Sequence, residues 1–218
     1  MDIHPLRLEL RHPISGLSHL LAAVSAFFGF LWLLYLAINF GTAWHIFSFA
    51  IFGTTMILVF SSSAIYHLAS GSDRLIGVLR KIDHMMIYIF IAGSYTPVCL
   101  LSLRESLGIK LVIGVWVFAV LGCIKKLYWI HAPRWLGVGT YVLMTLFALA
   151  AVPDMMRVMP DYQLKLILAE VILYGIGAGV YLVKWPNLYP KVFGFHELWH
   201  FFVVGGSTCH FILVSSLI

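Results

Sequence analysis

The sequence predicts an all-α membrane protein, a bundle of seven transmembrane helices. Of its 218 residues, 61% are hydrophobic and 11% are charged, whereas soluble domains carry about 25% charged residues. Seven apolar segments are each long enough to cross the hydrocarbon core of a bilayer, which takes roughly 20 helical residues. Because lipid offers no partner to backbone amides and carbonyls, each segment is expected to be a helix.

The predicted spans are 16–38, 44–68, 84–103, 109–127, 136–152, 164–183 and 196–218. They form a single transmembrane domain, residues 14–218, preceded by a short basic tail, residues 1–13. The first apolar run is longer than the core of a signal peptide, so it is predicted to be an uncleaved anchor. The three cysteines lie singly in apolar runs, which favours neither a disulfide framework nor a thiolate metal site.

The distribution of basic residues predicts the orientation of the bundle. Ten lysines and arginines fall in the tail and the second, fourth and sixth connections, and four fall on the other side. Because basic residues collect in cytoplasmic loops, the N-terminus is predicted to be cytoplasmic and the C-terminus outside. The formal charge of +5 then needs no nucleic acid partner, and a multi-pass protein of the cell (inner or plasma) membrane is expected.

A chemically distinctive group of side chains is expected at the cytoplasmic end of this bundle. The last span opens with His196-Glu197-Leu198-Trp199-His200, and residues four apart share one face of a helix. The second span ends with Ser63 and His67, which have the same spacing, and Asp83 is placed at the start of the third span. Three imidazoles with an open fourth position are typical of a catalytic zinc site, with His67, His196 and His200 as ligands.

These motifs also carry a family resemblance over essentially the whole chain. They are SAIYH at the end of the second span, DHMMIYIFIAGSYTP in the third, and HELWH followed by GGSTCHF in the last. With them the sequence resembles the haemolysin III family, within the superfamily of the adiponectin and progestin membrane receptors. The resemblance implies a Zn²⁺ ion on the three histidines, with Asp83 contacting the metal's water and Ser63 supporting it. It also implies a ceramidase-like hydrolase of lipid amides.

Three classes of function remain open at this stage. The first is a zinc-dependent hydrolase of lipid amide or ester bonds, with membrane lipid as substrate. The second is membrane lysis, the haemolytic activity that names the bacterial branch. The third is a receptor or regulator in which the metal is structural. A retinal protein is excluded because no lysine follows Val192, and the predicted orientation is opposite to that of G-protein-coupled receptors.

Three residues near the histidines have competing interpretations. Asp83 is either the catalytic base or a carboxylate favoured by the dipole at a helix N-terminus. Ser63 is either part of the site or a small residue in a helix contact. Glu197 completes the H-E-x-x-H pattern of zinc proteases, in which the glutamate is the base. We rank Asp83 above Glu197, because His210 lies about 21 Å beyond His196 along the helix and cannot supply a protease's third ligand.

The remaining histidines are expected to play smaller roles. His19 is either a second contact of the site or a packing residue, and His84 is expected to point about 100° away from Asp83. Simple exposure to water is expected for His45 and His131, and proximity to lipid headgroups for His4 and His12.

Overall fold

A computed structural model describes residues 10–190 and 192–218 of the chain. Within these residues, seven helical spans are long and apolar enough to cross a membrane, which confirms the predicted fold class. The helices are α1 Pro13–Phe40, α2 Ala43–Leu68, α3 Asp73–Pro97, α4 Gly108–Tyr128, α5 Arg134–Leu146, α6 Val152–Val158, α7 Asp161–Val183 and α8 Phe195–Ser215. A π-helical turn, Val98–Ser102, extends α3, and a 3-10 turn, Phe147–Ala151, joins α5 to α6 as one span.

Some predictions fall on residues outside the described ranges. Most of the basic tail, including His4 and Arg7, and Lys191 in the last connection are among them. The division into a tail and one transmembrane domain therefore stays a prediction, as does the cytoplasmic placement of the N-terminus.

The third span begins much earlier than predicted. Ser72 caps α3 by accepting a hydrogen bond from the Leu75 amide at 3.3 Å, so the helix starts at Asp73 and carries exposed polar turns before its apolar part. Hydropathy identifies only the part of a helix that lipid surrounds, so it did not detect the polar turns at the beginning of α3. Asp83 lies ten residues inside α3, so its interpretation as a helix N-terminal carboxylate was wrong.

The fifth span is also longer than predicted, because Pro153 does not end it. The proline occupies the first turn of α6, where its missing N–H costs no hydrogen bond. The span therefore runs from Arg134 to Val158.

Glycines allow the helices to pack closely. A Cβ at Gly53 of α2 would overlap the Phe30 ring of α1, and one at Gly122 of α4 would lie 2.5 Å from the Tyr88 ring of α3. Lipid supplies no hydrophobic driving force for association, so helices in membranes rely on such close van der Waals contacts.

The first and last helices are neighbours in the bundle. α1 packs against α2 along its length, and it also packs against α8, which lies between α1 and α7. A buried cluster joins these elements through residues such as Leu33, Phe49, Phe52 and Val214. This closure brings the beginning of α8 beside the end of α2, although the two are more than a hundred residues apart in sequence.

Candidate metal centre

Three histidines from two helices converge at one end of the bundle. We call this the histidine end: α1, α3, α5 and α8 begin there, and α2, α4 and α7 end there. His67 comes from the last turn of α2, and His196 and His200 come from the first turns of α8. His67 and His200 are each 3% exposed, while His196 is half-buried. The helical spacing of four thus presents both α8 imidazoles to the one on α2, as predicted.

The imidazole nitrogens are arranged as metal ligands would be. His196 Nε2 lies 3.2 Å from His200 Nε2 and 3.4 Å from His67 Nε2, and one ligand nitrogen from each of the three histidines lies within 4.8 Å of the others. Ligands about 2.0–2.1 Å from a tetrahedral zinc ion lie about 3.3 Å apart. The three side chains can therefore hold a metal ion.

Burial makes this arrangement costly without a bound ligand. His67 Nδ1 and His200 Nδ1 are buried and have no hydrogen-bond partner within the described part of the chain. Most buried polar atoms in proteins are hydrogen-bonded, so two such exceptions on candidate ligands are unusual. The Nε2 atoms of the same rings face the centre of the group. An imidazole that faces a cation gains an interaction that apolar packing cannot supply.

Asp83 lies beside this group on α3 and is 8% exposed. The Ser63 hydroxyl stabilises its carboxylate, and His67 acts on it electrostatically. Its Oδ2 atom is 3.3 Å from His84 Nδ1, so the expectation that His84 points away from Asp83 was wrong. His84 Nδ1 also lies 2.8 Å from the Arg80 carbonyl, which can only accept, so Nδ1 carries a hydrogen that both acceptors attract.

Both carboxylate oxygens of Glu197 are occupied elsewhere. Oε1 accepts a hydrogen bond from the Ser15 hydroxyl of α1 at 2.9 Å, and Oε2 accepts one from the Gly194 amide at 2.9 Å. Glu197 thus caps the beginning of α8, where a carboxylate also complements the helix dipole. These two contacts explain the glutamate without a role as a protease base.

His19 stacks on the metal-binding group without joining it. Its ring centroid lies 3.8 Å from that of His200 with the planes 30° apart, whereas the three converging rings lie 4.8–5.0 Å apart at 51–77°. Nearly parallel rings at this separation cannot both point at one ion. Neither ring nitrogen of His19 makes a hydrogen bond of good geometry within the described residues, although the His200 backbone lies close enough to act on the ring. The ring edge meets Phe60 at 5.1 Å.

The segment before α1 covers the His67 side of the group. The His12 amide donates to the His67 carbonyl at 3.0 Å, and the two rings meet edge to face at 5.6 Å. Burial and the Arg11 guanidinium both lower the pKa of His12, which lies outside the spans. His12 is therefore neutral at neutral pH and adds no positive charge beside the candidate ligands. The expectation that His12 lies only near lipid headgroups missed its contact with His67.

A surface pocket gives access to His196 from the connection before α8. It has a volume of about 210 Å³ and is lined by Asn187, Val192, Gly194, Phe195, His196 and Glu197. The pocket leaves one of the three candidate ligands reachable from outside the bundle.

Two histidines far from this end have other partners. His210, on α8, pairs with Glu170 of α7 at 2.7 Å and donates from Nε2 to the Ser94 carbonyl of α3 at 3.0 Å. We did not identify Glu170 from sequence, although an acidic residue within an apolar span signals a buried partner. His45 was expected to be exposed to water, yet its Nε2 contacts the Leu217 carbonyl at 3.1 Å.

Fold and site together define a multi-pass membrane protein with seven helical spans and a three-histidine group that can hold a metal ion. The sequence model of the family described as "Haemolysin-III related" matches residues 10–211. The chain therefore belongs to the haemolysin III family, as its motifs predicted.

Two relatives cover nearly the whole chain. "Hemolysin-3 homolog" of Bacillus subtilis (strain 168) is 32% identical over 200 residues, which span 92% of this chain and 91% of the relative. "Hemolysin-3" of Bacillus cereus is 30% identical over 202 residues, which span 92% of this chain and 88% of the relative.

Proposed function

We propose that the protein is a zinc-dependent hydrolase of lipid amide or ester bonds, with its site at the cytoplasmic face of the cell membrane. One observation carries the proposal: three buried or half-buried imidazoles converge, with two of the three Nε2 pairs 3.2 and 3.4 Å apart, and no fourth His, Cys, Asp or Glu ligand joins them within the described residues. Open three-histidine sites are typical of catalytic zinc, whereas structural sites are closed by four protein ligands.

His67, His196 and His200 would hold the ion. When bound, zinc supplies Lewis acidity, which polarises an acyl carbonyl and acidifies a water molecule. His200 is held in place by the ring of His19 at 3.8 Å. A lipid is the natural substrate because the site lies at the end of helices that lipid surrounds.

Asp83 is the group that we assign to proton transfer. Its carboxylate is buried next to the histidines, and a carboxylate there can accept a proton from water and return it to the leaving amine or alcohol. Ser63 orients the carboxylate and stabilises its charge. His84 contacts the carboxylate at 3.3 Å, which adds a second polar group that restrains its position.

A comparison of two carboxyl-to-amide variants tests the assignment. Asp83→Asn should keep stoichiometric zinc and lose at least 100-fold in hydrolysis of a short-chain ceramide or ester, because proton transfer contributes about 10²–10⁴-fold. Glu197→Gln keeps the shape of the helix cap and should stay within a few-fold of the wild type. Elemental analysis of the purified protein and product chromatography are the measurements. Purified protein without zinc, or without turnover of either substrate, would refute the proposal.

The names of the relatives favour a second candidate, membrane lysis. If lysis depends on the metal site, His200→Ala should abolish lysis of erythrocytes by cells that express the protein, at matched expression. His131→Ala, in an exposed connection, is the control. Unchanged lysis by the His200 variant would separate the lytic effect from the metal centre.

A further inference from the structure

A guanidinium group at the beginning of α5 lies close to His196, with Tyr181 between them. Arg134, the first residue of α5, places its Cζ atom 4.6 Å from the Tyr181 ring centroid and 5.5 Å from that of Phe195. Tyr181 in turn meets the His196 ring at 5.8 Å. One nitrogen of Arg134 donates to the Tyr181 carbonyl at 3.2 Å. Two aromatic rings and a hydrogen bond therefore hold this cation at the edge of the candidate metal centre.

Two further cations lie at the same end of the bundle. Lys126 near the end of α4 is 4% exposed, and its Nζ atom lies 5.9 Å from the Tyr141 ring centroid. Arg80 of α3 acts electrostatically on Lys126 and on Tyr181. Cations from three helices, α3, α4 and α5, thus lie at the histidine end.

Within the described residues, none of these three cations takes part in an ion pair. The ion pairs in that part of the chain involve Arg104 and two histidines. Asp83 is the carboxylate that acts on Lys126 electrostatically, so the three cations outnumber it. Burying an ammonium group without an anion is costly, and an incoming anion would lower that cost.

The geometry also leaves hydrogen-bond donors free. A guanidinium has five N–H groups in a planar fork that matches phosphate, and Lys adds a point charge of the kind that often binds phosphate. Arg134 uses one of its donors on Tyr181. Its stacking on two rings lowers the entropy lost when the remaining donors bind a ligand.

We propose that Arg134, Lys126 and Arg80 form a phosphate-binding site that receives the headgroup of a phosphorylated lipid beside the metal centre. The inference rests on the proposed function and deepens it, since it names the substrate class as lipids with a phosphate near the scissile amide or ester bond. The acyl chains lie among the helices, and the phosphate meets the cations at the polar edge of the histidine end.

Binding of a water-soluble lipid to the full chain in dodecyl maltoside micelles, which contain no phosphate, tests this proposal without turnover. The dihexyl ether analogue of phosphatidic acid, which has no acyl bond to hydrolyse, should bind at least 10-fold more tightly than the dihexyl ether of glycerol, because charge-assisted hydrogen bonds contribute about 10- to 100-fold each. Arg134→Gln should lose most of that preference, and Arg134→Lys should keep part of it. Lys184→Gln is the matched control, because Lys184 is an exposed cation at the same end, and it should stay within twofold. Calorimetry measures all four proteins.

Three results would overturn the inference. They are equal binding of the two lipids, an Arg134→Gln variant with the wild-type preference, and inorganic phosphate that binds as tightly as the phosphorylated lipid. The last would assign the site to a soluble ion. Zinc content is measured in parallel: zinc with turnover but no phosphate preference refutes only this inference, and phosphate preference without zinc refutes only the hydrolase.

Discussion

Two histidine-containing regions of the bundle contrast in how their polar atoms are satisfied. At the histidine end, His67 and His200 each keep a buried Nδ1 atom without a partner in the described residues. About 15 Å further along α8, both ring nitrogens of His210 are engaged, one by Glu170 at 2.7 Å and the other by the Ser94 carbonyl at 3.0 Å. Both regions are buried, but only around His210 does every ring nitrogen have a hydrogen-bond partner.

This contrast separates a binding site from a structural connection. A carbonyl only accepts, so His210 Nε2 carries a hydrogen, and one further proton lies between Nδ1 and the Glu170 carboxylate. The pair is then neutral overall and joins α3, α7 and α8. α7 buries few other residues, Gln163 and Gly177 among them, so this connection strengthens the packing of α7 against α8. At the histidine end the Nε2 atoms instead face one another, where a cation would bind them, and the Nδ1 atoms of His67 and His200 are the ones without a partner in the described residues.

The largest expected effect comes from disrupting the region around His210. His210→Ala leaves the Glu170 carboxylate buried without its partner and should lower the free energy of unfolding by about 3–5 kcal/mol, with zinc content unchanged. Denaturation in mixed detergent micelles measures the stability. The double variant Glu170→Leu with His210→Leu removes both polar groups and should cost less than His210→Ala alone. A His210→Ala protein as stable as the wild type would show that the pair does not strengthen the packing of α7.

Removing a converging imidazole should have the opposite effects: zinc affinity should fall, and the stability of the metal-free protein should not. His200→Ala should weaken zinc binding by more than about 100-fold, since loss of groups that only support a metal ligand already costs 10–100-fold. The stability of the metal-free protein should stay the same or rise, because an unsatisfied buried nitrogen disappears. Competition with a chromogenic chelator gives the affinity, and His131→Ala serves as control. A large loss of metal-free stability would place His200 in the structural class with His210.

His19 is neither a converging ligand nor part of the Glu170–His210 connection. Substituting it tests whether zinc binding depends on its ring or on its nitrogens. If stacking on His200 is its role, His19→Phe should bind zinc within about threefold of the wild type, while His19→Ala should lose about 10-fold. The same chelator competition distinguishes them. Equal losses in both variants would instead assign one of the His19 nitrogens to the metal.

The smallest effect should come from a second contact between α7 and α8. The Tyr174 and Ser207 hydroxyls lie 2.9 Å apart, one turn from the Glu170–His210 pair. Tyr174→Phe should lower stability by about 0.6 kcal/mol, the average for hydrogen bonds between helices in membranes. Tyr128→Phe, at an exposed position, should change nothing measurable in the same denaturation experiment. A cost above about 2 kcal/mol would make this contact part of the main connection rather than a small addition to it.

Sequence reasoning identified the three converging histidines and missed the partners of the others. His196 and His200 are linked by helical spacing, and His67 was placed with them by counting membrane crossings. Glu170 was missed because an acidic residue in an apolar run shows that a partner exists and not which helix provides it. The role of Glu197 as the cap of α8 could not be predicted either, because one of its two contacts is Ser15, 182 residues away.

The sequence by itself determined the number and nature of the helices, because a backbone in lipid must satisfy its own hydrogen bonds and an apolar run of about 20 residues has one way to do so. It also determined which residues share a helix face. Only the tertiary structure decided which nitrogens converge and which are already bonded. Those outcomes depend on how α8 packs against α1 and α7, through van der Waals contacts and through polar pairs such as Glu170–His210, which no local pattern encodes.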